Sequence, residues 1–427
     1  MAYTLGVVLF ALGIFVSICL HEAGHMYTAK AFGMKVTRYF AGFGPTLWSF
    51  RRGETEYGLK AIPAGGFVKI VGMTPLEEEA EVGPEDRHRV FWRKPLWQRT
   101  VVLCAGSLTH FLLGFLILWF TAVFVGLPNT ADASAPASRV EIGAVEKCVA
   151  TKWQYDPEQK MPRPCEPGKD PKSPAAQADL RPGDVIVTFD GKRVSSWNGL
   201  VAKVRAAGGE RVSLSYQRDG ATHNATVTLP TAERPTMKAL SEGKDPRKFT
   251  EQDLERVGVL GVGLAPSVTS GPVESLGLAG QYIGDMFIGT FQALAKFPEK
   301  VPKLVDAVMG EKRDPETPIS VVGASRLGGE IVEQEVWPLF FMLLAVLNLF
   351  VGVFNLFPLL PLDGGHIAIA WFEKARSWWC AVRGKPDPGR VDYLKLMPVT
   401  YAVIIVFGLF TVLAVAADIV NPIRLFP

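Results

Sequence analysis

Charge is missing altogether from the first twenty residues of this 427-residue chain: Met1 to Leu20 contains no Asp, Glu, Lys, Arg or His. A run of that length and apolarity is long enough to cross a bilayer. The chain also lacks any strong excess of one sign of charge. A net charge of +3 leaves no positive surplus of the kind that holds a nucleic-acid backbone, and no nucleic-acid partner is expected. Histidine is scarce, with only six in the chain, so the places where two of them fall close together carry information. Apolar residues nevertheless make up 48% and charged residues 20%. A wholly soluble domain rarely combines such figures with several apolar runs of span length, so a membrane protein with a sizeable soluble part is expected.

Directly after the uncharged run stands His21-Glu22-Ala23-Gly24-His25. Two histidines four apart on a helix lie about 40° apart around the axis, one turn along it, and both rings reach one metal ion. The intervening glutamate is then available as general base. With so few histidines, the spacing is expected by chance in on the order of one chain in 200. The bland alternative is two satisfied helix histidines. Ionisable groups at the end of a membrane-length segment cost a few kcal/mol, which favours a functional reading. Cys19, two residues before His21, faces roughly the opposite side of the helix and is not expected to be a ligand.

Four segments have span length: Tyr3 to His25, Val101 to Leu127, Val336 to Pro361 and Pro398 to Ala417. The first lacks the basic flank of a secretory signal and is read as retained. Twelve Lys and Arg fall between the first two spans, and six more lie between Lys374 and Lys395. Both loops are therefore expected on the cytoplasmic side, with the long region between spans two and three outside. The apolar stretch Leu276 to Phe297 is ambiguous by pattern. Were it to cross, Asp363 would fall on the opposite face from His21 and His25, so it is read as an amphipathic helix on the outer membrane surface.

Within the outer region, Leu180-Arg-Pro-Gly-Asp184 precedes a strand, Trp197 to Ala206 reads as a short helix, and Arg211 to Gln217 and His223 to Leu229 read as strands around Asp219-Gly220. The order resembles a PDZ domain of the bacterial membrane-protease type, which binds extended peptide segments at a sheet edge. Cys148 and Cys165 are alone in this region and flank a proline-rich insert. An oxidising compartment would let them pair, whereas Cys19, Cys104 and Cys380 are expected to be free.

A third metal ligand has to come from elsewhere. Asn355-Leu-Phe-Pro-Leu-Leu-Pro-Leu-Asp363-Gly-Gly-His366 ends the third span. Its two prolines break the helix at a depth where irregular backbone is tolerated only around a protein-walled cavity. Asp363 is the only acid between Glu335 and Glu373, which makes it the candidate, the alternative being an ordinary capping aspartate. The metal readings of His366 and His88 are weaker, and Glu77 to Glu81 is expected to be a solvated loop.

HEAGH in the first span together with NLFPLLPLDGG in the third resembles the site-2 protease family of intramembrane zinc metalloproteases, and in particular its regulator-of-sigma-E protease type with one PDZ domain. Gly42-Phe-Gly-Pro45, Tyr57 to Lys69, Lys94-Pro-Leu-Trp-Gln-Arg99 and Ile319-Ser-Val-Val-Gly323 agree with it. The resemblance implies Zn2+ held by His21, His25 and Asp363, Glu22 activating a zinc-bound water as catalytic base, and Asn355, Gly65 and Gly66 near the substrate. It implies an endopeptidase cutting single-span membrane proteins in the lipid bilayer, for example an anti-sigma factor, in regulated intramembrane proteolysis. The second span departs from the family's Gly-x-x-x-Asn and reads Gly106-Ser-Leu-Thr-His110. His110 is then an extra ligand-like group, a hydrogen-bond partner replacing the amide, or a buried neutral ring, the last being favoured because three protein ligands and water already satisfy a catalytic zinc.

The expected fold is a polytopic α-helical membrane protein of four spans, with a membrane-associated β-hairpin and an extracytoplasmic α+β PDZ domain. The expected parts are a first span with HEAGH (1–30), a cytoplasmic-side loop (31–99) and a second span (100–128). The loop's hairpin is expected over Glu56 to Ile70, turning at Ala64-Gly-Gly66. The PDZ domain (129–269, insert 146–170) and an outer helical linker (270–334) follow. A third span (335–370), a cytoplasmic loop (371–397) and a fourth span with tail (398–427) complete the chain. The expected location is the inner (plasma) membrane, with the active site toward the cytoplasmic side.

Overall fold

The structure is a computed structural model and describes residues 1–73, 83–129, 138–156, 161–242 and 244–426. The acidic run Glu77 to Glu81 lies outside the described residues. The chain divides into two compact units, one of residues 1–121 and 279–427, the other of residues 122–278.

The first unit opens with α1 (Ala2–Ala31), which runs straight through HEAGH because nothing in that motif interrupts a helix. Gly6, Phe10, Ile14, Ser17, His21 and His25 are buried at spacings of three and four, so one stripe of α1 faces inward and carries both histidines. Strands β1 (Val36–Arg52) and β2 (Thr55–Ile70) pair antiparallel. Arg52 stands opposite Thr55, so the reversal is the two-residue Gly53-Glu54 loop, with Gly53 at φ 63°. The turn expected at Ala64-Gly-Gly66 is corrected by this register. Those residues lie inside β2, where Gly65 (φ 137°) accompanies a register shift that places Ala41 opposite both Leu59 and Gly66. A glycine that permits left-handed backbone closed the tight loop, while the glycine pair bent the strand instead. Helix α2 (Leu96–Phe120) follows and ends in a π-helical turn, Thr121–Val125.

The second unit contains β3 (Leu127–Pro128), β4 (Ile142–Val145), β5 (Tyr155–Asp156), β6 (Met161–Pro162), α3 (Pro174–Gln177), β7 (Val185–Phe189), β8 (Lys192–Arg193), α4 (Trp197–Ala206), β9 (Arg211–Arg218) and β10 (Ala221–Thr228). After these come β11 (Thr231–Pro235), α5 (Met237–Ser241), β12 (Leu254–Gly258), β13 (Val262–Leu264) and β14 (Ser267–Val268). Its main sheet has the order β10-β9-β7-β8. Asp219 and Gly220 both take positive φ in the β9–β10 hairpin, the backbone that matches strand twist. Ile142, Leu180, Ile186, Leu200, Leu214 and Leu229 form the centre of its core. Cys148 and Cys165 are disulfide-bonded with Cα atoms 5.7 Å apart, and Cys19, Cys104 and Cys380 are free.

The chain continues through α6 (Pro272–Val308), α7 (Val321–Glu333), α8 (Trp337–Asn355), α9 (Asp363–Val382) and α10 (Tyr393–Val420). Among the described residues, four helical segments are long and apolar enough to cross a membrane: α1, α2 with its π-turn, α8 and α10. The expected third span is thus shorter than drawn. Pro358 and Pro361 cannot extend α8, which stops at Asn355, and Asp363 starts a separate helix across what was read partly as span and partly as loop.

The distribution of side chains is inverted relative to a soluble protein. Leu5, Leu12, Val16, Ile405, Leu409 and Val412 are exposed on α1 and α10, while Ser17, His21, His25, His110, Asn348 and Asp418 are buried. That pattern suits an apolar solvent, in which polar groups must find partners inside the helix bundle. The chain is a multi-pass membrane protein with a β-rich unit.

Candidate metal centre

The inward stripe of α1 sets His21 and His25 one turn apart, with their Nε2 atoms 3.1 Å from each other and their rings edge to face. Nδ1 of His25 lies 2.7 Å from the carbonyl oxygen of Val102 on α2. A carbonyl only accepts, so Nδ1 carries the proton and Nε2 presents a lone pair. Asp363, the first residue of α9, brings Oδ2 to 3.3 Å from each of the two Nε2 atoms. The loop 356–362 delivers it there. It folds so tightly over the first turn of α9 that a β-carbon on Gly364 would lie 2.2 Å from the Leu356 carbonyl oxygen.

Oδ2 of Asp363 and Nδ1 of His21 are buried without a hydrogen bond. With His25 neutral, an anionic oxygen facing its Nε2 lone pair at 3.3 Å is a repulsive pair unless a proton or a metal ion stands between them. The three facing atoms form a triangle with sides of 3.1, 3.3 and 3.3 Å. Ligands at the corners of a tetrahedron with zinc bonds of ~2.0–2.1 Å are separated by roughly 3.3–3.4 Å. The donor set and its spacing fit zinc, with one corner left open.

Glu22 follows His21 on α1 and is rotated about 100° from it, off the triangle. Its carboxylate lies beside the backbone of Val68 on β2. A β-carbon on Gly66 would stand 3.4 Å from Glu22 Cγ, so Gly66 of β2 passes beside this side chain. Gly65 packs instead under the ring of Phe43. Asn355 closes α8, half-buried at the head of the loop that leads to Asp363.

His110 is buried on α2, its ring 5.0 Å from that of His21, and it does not join the group of three. Its Nδ1 lies 2.9 Å from Oδ1 of Asn348, whose Nδ2 donates to the Leu344 carbonyl. The second bond orients the amide, so His110 donates from Nδ1. The buried ring favoured from sequence and the hydrogen-bond partner are both what the geometry carries, in one side chain. Asn348 itself was missed. Its signal was an amide two turns before Asn355 in an otherwise apolar run. His366 lies apart from the triangle, stacked on Tyr393, and His88 sits on a short 3-10 segment, Pro84–Arg89.

The family model described as Peptidase family M50 matches residues 9–391. Zinc metalloprotease Rip1 of Mycobacterium bovis (strain BCG / Pasteur 1173P2) is 43% identical over 428 residues, covering 100% of both chains. Rip1 of Mycolicibacterium smegmatis (strain ATCC 700084 / mc(2)155) is 41% identical, again over 100% of both. Regulator of sigma-E protease RseP of Escherichia coli (strain K12) is 27% identical over 90% of this chain and 91% of its own. A match across most of the chain, with full-length relatives above 40% identity, places it without ambiguity: the chain belongs to peptidase family M50, the site-2 protease family, and is a zinc metalloprotease.

Proposed function

We propose that this protease is an intramembrane endopeptidase that hydrolyses peptide bonds within or beside the transmembrane segments of single-span membrane proteins. In this reading His21, His25 and Asp363 hold the zinc and Glu22 is the general base. The observation that carries it is the buried triangle of two Nε2 atoms and one Oδ2, built from α1 and α9 among helices whose outer faces are apolar.

When bound, the zinc polarises the scissile carbonyl and makes a water acidic enough to deprotonate near neutral pH. The protein supplies the rest. The Glu22 carboxylate takes the proton from that water as it attacks and delivers it to the departing amide nitrogen. Val102 holds the His25 ring in one tautomer throughout. A helical substrate hides its carbonyls in its own hydrogen bonds and must unwind locally to react. The β2 segment Gly66 to Ile70, beside Glu22, offers backbone groups on which an extended substrate is held, with Gly65, Gly66 and Asn355 next to it. Exposed Phe43, Leu47, Trp48 and Phe50 on β1 support a membrane-associated hairpin.

The β10-β9-β7-β8 sheet with α4 supports the PDZ reading of the second unit, which takes peptide segments by strand addition. The Lys and Arg between spans one and two, and between Lys374 and Lys395, support a cytoplasmic-side active site with the second unit outside, in the plasma membrane. The Escherichia coli relative is named a regulator of sigma-E protease, which supports a substrate in sigma-factor control, and an anti-sigma factor is the one we propose.

The test is proteolysis of a single-span substrate by the full chain in vesicles, comparing wild type with Glu22→Gln. Gln keeps size and polarity but cannot accept the proton, so zinc stays bound while cleavage falls by at least ~10²-fold. Near-normal cleavage by Glu22→Gln would overturn the assignment.

A further inference from the structure

Helix α9 carries a second apolar face that the zinc site does not use. At 100° per residue, Trp378, Trp371, Val382, Ala375, Trp379 and Phe372 occupy one arc of about 120°. All six are exposed, and the five larger side chains are each more than half exposed. Lys374 borders one edge of the arc and Arg383 and Arg376 border the other. The guanidinium of Arg383 lies 4.3 Å from the ring of Trp379, and that of Arg376 lies 5.7 Å from Phe372.

Cations here outnumber acids, and the acids are already engaged. Glu373 faces Arg99 at 3.7 Å and accepts the Val391 N–H. Asp387 accepts from the Ser377 hydroxyl and the Gly389 N–H. Among the described residues no acid lies within ion-pair distance of Lys374, Arg383 or Lys385. An apolar arc rich in Trp, edged by unpaired cations, is the composition of a helix lying in the membrane interface. The helix also follows the span α8 after a short loop, and its Trp371 indole donates to Thr100 at the start of α2, so it starts where two spans end.

We infer that α9 docks on the bilayer surface, its Trp-rich arc in the headgroup layer and Lys374, Arg383 and Lys385 on the phosphates of anionic phospholipids. Lipid docking of α9 stands independently of the chemistry proposed for Glu22.

The test uses the full chain reconstituted in phosphatidylcholine vesicles containing brominated phosphatidylcholine or, at equal mole fraction, brominated phosphatidylglycerol. The fluorescence difference between wild type and Trp378→Phe/Trp379→Phe isolates this pair among the ten tryptophans. Its quenching is expected to be ~2- to 3-fold greater with the anionic lipid at low salt, because basic residues at a surface concentrate anionic headgroups. Lys374→Gln/Arg383→Gln/Lys385→Gln should equalise the two lipids while leaving the zinc content unchanged, which also reports that the variant is folded. Equal quenching of the wild type by both lipids would overturn the proposal. So would a pair that no lipid quenches, with a dimer in sedimentation, since a second copy would then cover the arc.

Discussion

Gly106 faces His25 so closely that a β-carbon on it would lie 2.5 Å from His25 Nε2 and 2.4 Å from His21 Cε1. The glycine is helical, so it is required for space and not for an unusual backbone. Gly106→Ala must either push α2 off α1 or turn the imidazoles away from Asp363. Zinc content measured after dialysis should fall at least ~10-fold, since the ligands tolerate only small departures from their bond lengths. Gly408→Ala, with nothing within 4 Å, is the control that keeps full zinc. Full occupancy in Gly106→Ala would mean that zinc is held elsewhere.

His110 separates a structural role from a ligand role. His110→Asn restores an amide at this position and still offers Asn348 a donor, so zinc content and stability should stay near wild type. His110→Leu strands the buried Oδ1 of Asn348 and should cost about 1–3 kcal/mol in denaturant unfolding, again without loss of zinc. A drop in zinc affinity in both variants would make His110 a ligand after all.

What could be read from sequence was what local chemistry decides. The His21–His25 spacing stays on one helix face whatever packs against it, and α4 and the β9–β10 hairpin follow from a short amphipathic run and an Asp-Gly turn. The β1–β2 turn was misplaced because Ala64-Gly-Gly66 has the composition of a turn, whereas the reversal at Gly53-Glu54 shows only in the pairing over the full length of both strands. Asn348 was invisible because one amide in an apolar run gains meaning only when its partner on another helix is known. The α9 boundary was blurred because the apolar residues after Asp363 look like continued span, and only their arrangement around the helix shows otherwise.

Asp184 predicts a pH dependence. Burial pushes its carboxyl up, but the paired hydrogen bonds from Arg218 and the Arg181 N–H more than offset this and hold it below the usual carboxylate range. A carboxyl depressed in the folded state stabilises the fold above its unfolded value near ~4, and this contribution is lost as pH falls through the folded value. Arg218→Gln should therefore lower the unfolding midpoint at pH 7, with the gap to wild type closing below about pH 4 as Asp184 protonates in both. A gap that is constant from pH 7 to 3 would show that Arg218 acts by packing alone.

The buried pair Arg313 and Asp418 predicts an asymmetry between single and double variants. Their side chains meet at 2.7 Å, and Asp418 also accepts the Ser320 N–H at the start of α7. Arg313 in turn donates to Thr317 and to the carbonyls of Pro318 and Asn421. Removing only the acid leaves the guanidinium of Arg313, a residue 6% exposed, with carbonyls and a hydroxyl but no counter-charge. Asp418→Ala should cost about 3–5 kcal/mol in unfolding measured in detergent. Arg313→Leu/Asp418→Leu should recover most of that loss, because two apolar groups of similar size avoid the desolvation that the lone charge suffers. If the double variant is as unstable as Asp418→Ala, the pair matters for the backbone contacts it organises at Ser320 and Asn421, and not for the charge it neutralises.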